Sequence, residues 1–505
     1  MGVALILGLG GLAWWLIFRS WMMQGDDFMS ATIGGARGGR FTLQAWAQDS
    51  WRDYWQATGR QAGSLFRIFL RGGPEVMRWV MPAQQVLVAA SLLVWSRSSA
   101  APVLVRWGFA LTAVCAVPIL AWRTPDLHGA ALVWAQSSFD YVVSPAFCLL
   151  LVGCLLATPA TGWTMPLTVA LSVVAVVAPL LHETGSIAVL ASVVVMALSG
   201  RHRPTGRARL VMALATLAAL VQVTSPGLWK RLGAVTEVQP AEAGGRLMLL
   251  RAANVSWQAG ASIGAVVLLA SGLLVLAGLT SGRRPLLLAG ALHTAAMVVV
   301  VLAQQRWGRW TELTSYSVAM SPEQFRWAAL LVGAAALAAL SALLITLGLV
   351  GELGTGPLVA LAGAAGSFVA PLLAGATTMR AILPLALWLV AVIFSLLGAW
   401  ANHTSVAPRR LAAGAVAAAL VLACWAVPLW WWRTWTGMRE NAAVHAPVLA
   451  QLEQARLGQR TEVTFPRSYP HPELMYYYAF RLDRYGPMIT LYHDLPAGVN
   501  LVREP

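Results

Sequence analysis

Apolar runs of about 20 residues recur along almost the whole chain, and they limit the fold more than any other feature. A helix needs roughly this length of apolar sequence to cross the ~30 Å hydrocarbon layer of a bilayer. Hydrophobic residues make up 58% of the chain and charged residues only 11%. The ten-residue alternating segments typical of outer-membrane barrels are absent. The sequence therefore predicts an all-α polytopic membrane protein.

Hydropathy predicts about thirteen transmembrane helices. The runs lie near 3–21, 79–96, 102–122, 141–157, 164–181, 184–200, 209–225, 257–280, 285–305, 326–350, 356–375, 380–400 and 409–432. With this count, the short arginine-rich connections at 201–209, 283–284 and 409–410 share one side, which the positive-inside rule makes cytoplasmic. The longer loops, including 22–78, are then external. Because no charged segment or cleavage site marks a signal peptide, the first run is expected to be retained.

We expect two units, a transmembrane domain at residues 1–432 and an extracytoplasmic C-terminal appendage at 433–505. Within the external loop 22–78, the segments 43–57 and 61–71 have the aromatic and polar mixture of interfacial helices. In the tail, a helix ending at Gly458, a strand at 461–465, a helix near 472–484 and a strand at 488–492 predict a small α/β unit.

The net charge of +15 does not indicate a nucleic-acid-binding protein. The arginines are spread over loops at membrane ends, where they set topology and contact lipid phosphate. All four cysteines lie in apolar runs, and no spacing typical of a zinc site is present. Membrane lipids are therefore the expected partners of this charge, and nucleic acid is not.

An adjacent acidic pair, Asp26 and Asp27, follows the first apolar run directly. Only 20 of the 505 residues are acidic, so a pair at the mouth of a membrane helix is a candidate reaction centre. One carboxylate could act as the general base for an acceptor hydroxyl, or both could bind a divalent cation such as Mg²⁺ or Mn²⁺. The alternative is structural, with a carboxylate capping a helix or pairing with an arginine.

Several cationic and polar side chains near this pair are candidates for substrate or phosphate binding, because arginine binds phosphate through paired hydrogen bonds. They are Arg37, Arg40, Tyr54 and Arg60 in the first external loop, His182 and Glu183 at the junction of two apolar runs, Lys230 in another loop, and Arg380 at the start of a late run. Each has a structural alternative: the cations could contact lipid, and the His182–Glu183 turn could cap a helix. Arg60 is the first choice for phosphate.

The order of these landmarks resembles that of bacterial GT-C glycosyltransferases, in particular the multispanning Gtr-type enzymes that modify O-antigen and other cell-surface glycans. The landmarks are Asp26-Asp27 after the first run, the loop ending in Thr58-Gly59-Arg60, the turn at His182-Glu183-Thr184-Gly185, Arg380 and the external tail. The resemblance implies sugar transfer from a polyprenyl-phosphate donor to a glycan or glycolipid acceptor, outside the bacterial cytoplasmic membrane. It implies Asp26 or Asp27 as base or metal ligand, and Arg60 and Arg380 as ligands of the donor phosphate.

Two other classes of function stay open. A transporter or flippase for a lipid-linked or anionic solute usually has internal repeats and ionisable residues at mid-membrane, whereas here the polar residues lie at the outer ends of the runs. A non-catalytic scaffold for envelope assembly is the third class. Transfer activity that depends on the acidic pair would separate the first class from both others.

Overall fold

The computed structural model describes most of the chain outside a central region. The described residues are 2–24, 26–32, 42–56, 59–60, 68–96, 101–121, 128–158, 162–199, 204, 206–230, 355–374, 379–402, 406–475 and 481–505, with isolated positions between 272 and 298. The runs predicted at 257–280, 285–305 and 326–350 therefore lie wholly or largely outside the described residues, as do Arg37, Arg40 and most of the segment 61–71.

Apolar α-helices form most of the described chain. They are α1 (Gly2–Phe18), α2 (Asp26–Ala31), α3 (Leu43–Gln56), α4 (Gly73–Ser96), α5 (Val103–Ala121), α6 (Ala135–Leu156), α7 (Met165–Leu181), α8 (Glu183–Leu198), α9 (Gly206–Val223), α10 (Gly356–Ala374), α11 (Leu383–Ala401), α12 (Val406–Arg456) and α13 (Leu482–Tyr492). A π-helical turn, Phe139–Val143, interrupts α6, and another, His128–Val133, precedes it.

Within the described residues, six helical stretches are long and apolar enough to cross a membrane. They are α4, α5, α6, α12 and the stretches Gly206–Lys230 and Arg380–Ala401. The expected all-α membrane class is confirmed at this level, while the count of about thirteen helices stays a prediction. A helix is present at 43–56, where an interfacial helix was expected, as α3, with Trp51 66% exposed; its place at the membrane interface stays a prediction.

Helix α11 lies at the centre of the packing and α12 at its edge. In the most apolar 18 residues of each stretch, 94% of the residues are buried for the stretch that contains α11, and 22% are buried for α12. Helix α12 is 51 residues long, or about 76 Å at 1.5 Å per residue, and therefore exceeds the ~30 Å of hydrocarbon. It runs without interruption through the boundary expected at residue 432, and Gly458 follows its end with a positive φ of 72°.

The last 45 residues contain two strands and a helix. β1 (Glu462–Phe465) pairs in parallel with β2 (Asn500–Arg503), so the strand expected at 461–465 is present. The strand expected at 488–492 is wrong, because these residues end α13. Tyr485, Ile489 and Tyr492 are buried at the spacing of one helix face. The residues at 488–492 include types that favour strands, so the local composition did not reveal this helical pattern. Of the helix expected near 472–484, the described residues contain a 3₁₀ turn, Pro472–Leu474, and the start of α13; residues 476–480 lie outside the described residues.

Candidate functional site

The first half of α6 and the residue before it contact four of the ten side chains singled out in the sequence. Four positions here make the contacts: Trp134, Gln136, Asp140 and Tyr141. Their partners come from four separate parts of the chain: Asp27 of α2, Arg60 before α4, His182 between α7 and α8, and Arg380 before α11. Short π-helical segments occur often at functional sites, and one lies in this part of α6.

Arg60 lies at the centre of a buried ion cluster. Its Nε and Nη2 donate hydrogen bonds to the two carboxylate oxygens of Glu183, at 2.9 Å each, and its Nη1 donates to Asp140 Oδ2 at 2.7 Å. The three side chains are only 16%, 6% and 7% exposed. Burial opposes the charge of Arg60, but Glu183 and Asp140 outweigh it and raise its pKa above the ordinary value. Within these three side chains, one positive charge faces two negative charges.

The backbone before Arg60 explains how this side chain reaches the cluster. Gly59 has a positive φ of 76°, a region that glycine adopts without steric cost. A Cβ atom at Gly59 would lie only 2.0 Å from Ser225 Oγ, so glycine also permits close approach to the end of α9. Asp53 holds this turn, because its carbonyl oxygen accepts from the Gly59 N–H and its Oδ2 accepts from the Arg60 N–H, both at 3.0 Å.

His182 caps the N-terminus of α8. Its backbone is extended, and its Nδ1 accepts a hydrogen bond from the Thr184 N–H at 3.2 Å. In this contact Nδ1 is the accepting nitrogen of the ring, and it also lies 3.7 Å from Glu183 Oε2. Glu183 is the first residue of α8, where the helix dipole favours a negative charge. The His182–Glu183 turn therefore caps a helix, as the structural alternative for these residues predicted, and His182 is the capping residue.

Tyr141 joins His182 to Arg380. The Tyr141 and His182 rings lie 4.8 Å apart, and the guanidinium carbon of Arg380 lies 5.7 Å from the Tyr141 ring and 4.6 Å from the Trp134 ring. Such cation–π contacts stabilise a cation by about 0.5–2 kcal/mol. A cation–π contact involves no acceptor oxygen, so it does not by itself prevent the guanidinium N–H groups from binding phosphate.

Asp27 is fully buried and links α2 to α6. Its Oδ1 accepts from the Gln136 N–H at 2.9 Å, and its Oδ2 accepts from the Gln24 N–H at 3.2 Å. Gln136 lies in the first turn of α6, so Asp27 supplies a cap to that helix. Ser30 strengthens the link by donating to Gln136 Oε1 at 2.7 Å. Asp26 begins α2, and its side chain lies outside the described part of the structure, so its role stays a prediction.

Both carboxylate oxygens of Asp27 accept from backbone N–H groups, and the side chain of Asp26 lies outside the described residues, so the metal role expected for the acidic pair stays a prediction. Among the side chains that the structure describes, no three His, Cys, Asp or Glu residues form a group able to hold a metal ion.

Two further candidates lie apart from these hydrogen bonds. The Tyr54 ring of α3 packs on the Trp55 ring at 5.4 Å, and Lys230 is exposed at the end of the stretch Gly206–Lys230. Their roles in substrate binding stay predictions, as do those of Arg37 and Arg40.

Comparison with known proteins yields no relative. No family model, no curated protein and no solved structure matches the chain. The functional assignment therefore depends on the residues of the chain itself.

The sequence did not single out Trp134, Gln136, Asp140 or Tyr141. A signal for two of them was present, because Asp140 and Tyr141 stand at the mouth of a long apolar run. Ionisable residues at membrane depth are costly and usually mark a functional or paired polar site. No comparable signal exists for Gln136, which takes part through its backbone N–H and a side-chain oxygen.

Proposed function

We propose that this protein is a membrane glycosyltransferase of the GT-C type. It transfers a sugar from a polyprenyl-phosphate donor to a cell-surface glycan or lipid acceptor, on the extracytoplasmic side of the bacterial cytoplasmic membrane. The observation that supports this most is the meeting of Asp27, Arg60, His182 and Arg380 at one short part of α6. These positions are separated by up to 353 residues, as 380 minus 27 gives. All of them lie in parts of the chain that the predicted topology places outside the membrane or at its outer surface.

The chemistry of the proposed reaction needs few groups. The bond between the anomeric carbon and the phosphate oxygen breaks, a bond from that carbon to the acceptor oxygen forms, and the hydroxyl proton passes to a carboxylate. The lipid phosphate leaves as an anion and needs no acid to protonate it. Because Asp27 already accepts two backbone hydrogen bonds, Asp26 is the better candidate for the base.

Arg380 is the better candidate for binding the departing phosphate. A fixed cation aimed at developing negative charge stabilises a transition state strongly in a site that excludes water. Arg60 donates to two carboxylates, which suits a positioning role that holds α6 and α8 together. If Arg60 were to bind phosphate directly, it would first have to leave Glu183 or Asp140.

The test is sugar transfer in cells that lack the protein and carry single variants in its place. We expect Asp26→Asn to lower the transfer of labelled sugar to surface glycans by about 10²–10⁴-fold, the usual contribution of a general base. Asp49→Asn is the matched control, because Asp49 lies on α3 and pairs with the exposed Arg52. The amount of each variant in the membrane is measured alongside. Full transfer by both Asp26→Asn and Asp27→Asn would refute the assignment of the base.

One observation favours a transporter or flippase as the second candidate. Gln84 and Gln85 lie in the middle of α4 and are 4% and 3% exposed. Within the described residues, both amide atoms of Gln85 and the Oε1 of Gln84 lack hydrogen-bond partners. Buried polar groups of this kind could line a polar path through the membrane. Movement of lipid-linked sugar across proteoliposomes without any acceptor, abolished by Gln85→Leu, would favour this candidate.

A further inference from the structure

A cavity of about 500 Å³ lies where the membrane helices meet the C-terminal segments. It is bounded by the end of α1, by α2, by the start of α4, and by parts of α12 and α13. The side chains that matter for its chemistry are Arg19, Phe28, Arg78, His445, Tyr492 and His493. A volume of this size is typical of a site for a small molecule or a head group.

Two arginines give this cavity its charge. Among the described residues, no acceptor contacts the guanidinium of Arg19, which is exposed at the end of α1. Arg78 donates through Nη2 to Glu75 Oε1 at 2.5 Å, while its buried Nε has no acceptor within the described part of the chain. Glu75 is itself 75% exposed, so its charge is largely screened by solvent. The cavity therefore offers arginine N–H groups and an excess of positive charge.

The aromatic side chains beside this cavity are of the kind found at the level of lipid head groups. The Trp15 and Trp79 rings lie 5.5 Å apart on the same two helices that carry Arg19 and Arg78, and Trp79 is 64% exposed. Exposed tryptophans on membrane helices concentrate at the interface between hydrocarbon and water. The anions that are abundant at this depth are the phosphates of lipids and of lipid-linked sugars.

The C-terminal segments form a preformed wall of the cavity. The Tyr492 ring lies 5.6 Å from the Phe28 ring and 4.9 Å from the His493 ring. Gly73, with a positive φ of 62°, lets α13 lie against the start of α4, since a Cβ there would lie 2.7 Å from the Tyr492 hydroxyl. On α12, His445 is 3% exposed and its Nδ1 lies 2.8 Å from the Tyr469 hydroxyl.

We propose that this cavity binds a phosphoryl group through Arg19 and Arg78, with the wall formed by α12 and α13 enclosing the group that carries the phosphate. The phosphate belongs either to a lipid head group or to a free phosphate ester, since the two offer the same oxygens to arginine. The inference is independent of the proposed transferase activity, because it depends only on the cavity and its cations.

The test is native mass spectrometry of the full chain, delipidated in a phosphate-free maltoside detergent. Three compounds are titrated separately: a short-chain phosphatidic acid, the diacylglycerol of the same chain length, and inorganic phosphate. We expect one equivalent of phosphatidic acid to bind. Arg19→Gln and Arg78→Gln should each weaken this binding about tenfold or more, as the loss of a hydrogen bond between charged groups implies. Arg19→Lys should keep part of the affinity.

The matched control is Arg484→Gln, because Arg484 is exposed on α13 and stacks on Tyr485. It should bind phosphatidic acid as the wild type does. Inorganic phosphate that competes with phosphatidic acid would show that free phosphate is also accepted, and a failure to compete would identify lipid phosphate as the ligand; both results support the site. Equal binding of diacylglycerol, or wild-type affinity in the Arg19→Gln/Arg78→Gln double variant, would overturn the proposal.

Discussion

The buried cluster of Arg60, Asp140 and Glu183 permits a prediction about the free energy of unfolding. Removing the one positive charge should lower it, and then removing both negative charges should raise it again. Arg60→Met leaves two carboxylates buried at 7% and 6% exposure without their shared cation. Removing one partner of a buried ion pair costs about 3–5 kcal/mol, because the remaining charge has lost its compensation. We expect Arg60→Met to lower the free energy of unfolding by at least this amount.

Glu183→Gln should cost less than Arg60→Met. It leaves Arg60 paired with Asp140, so one positive charge faces one negative charge, and only hydrogen bonds to a charged group are lost, at about 1.5–3 kcal/mol. The triple variant Arg60→Met/Asp140→Asn/Glu183→Gln has no charge in the cluster. Uncharged replacements of buried ionic groups are often neutral or stabilising, so the triple variant should be more stable than Arg60→Met alone.

The measurement is unfolding by SDS from maltoside micelles at neutral pH, followed by tryptophan fluorescence for the wild type and the three variants. Arg52→Met is the matched control, because Arg52 is 71% exposed and its pair with Asp49 should contribute little. The reasoning fails if Arg60→Met and Glu183→Gln cost the same. It also fails if the two added substitutions make the triple variant less stable than Arg60→Met.

Two further predictions concern a glycine and an acidic side chain. Gly59→Ala should lower the free energy of unfolding by about 1–3 kcal/mol in the same assay, because the positive φ and the Ser225 hydroxyl both oppose a Cβ. Gly414→Ala on α12 is the control, because nothing lies within 4 Å of a Cβ there, and it should not lower the free energy of unfolding measurably. For Glu473, burial raises the pKa, but a backbone hydrogen bond and its contact with His471 outweigh this and lower it. A lowered pKa adds stability at neutral pH that is lost as the pH falls through the folded-state value, so Glu473→Gln should weaken the acid-dependent loss of stability in a pH series of unfolding curves.

The helices were largely predictable because hydropathy is a local property of the chain. The ends were less so, and α12 shows why. The apolar run stops at Trp432, but the helix continues past Gly437 and Pro447 to Arg456, and Gly458 follows its end with a positive φ. Hydropathy reports where a segment can enter a membrane, and capping reports where the helix stops. The wrong strand at 488–492 has a related cause, since short apolar runs do not separate strand from helix.

Several residues of the candidate site could be predicted from the sequence, but the contacts between them could not. Arg60, Glu183 and Arg380 drew attention because charges are rare in this chain and costly near a membrane. That Arg60 would pair with Glu183, 123 positions away, has no local signal. The capping role of Asp27 was an open alternative, but its target, the Gln136 N–H, is set by how α2 packs on α6.

The short helix α2 connects the two sites. On one side Asp27 and Ser30 hold Gln136 in the first turn of α6, which carries the residues that contact Arg60, His182 and Arg380. On the other side Phe28 packs on Tyr492 and lines the cavity with the two arginines. Because α2 has only six residues, these contacts fix it at both faces. Asp26, the proposed base, is the first residue of α2 and therefore lies in a segment whose position depends on contacts with both sites.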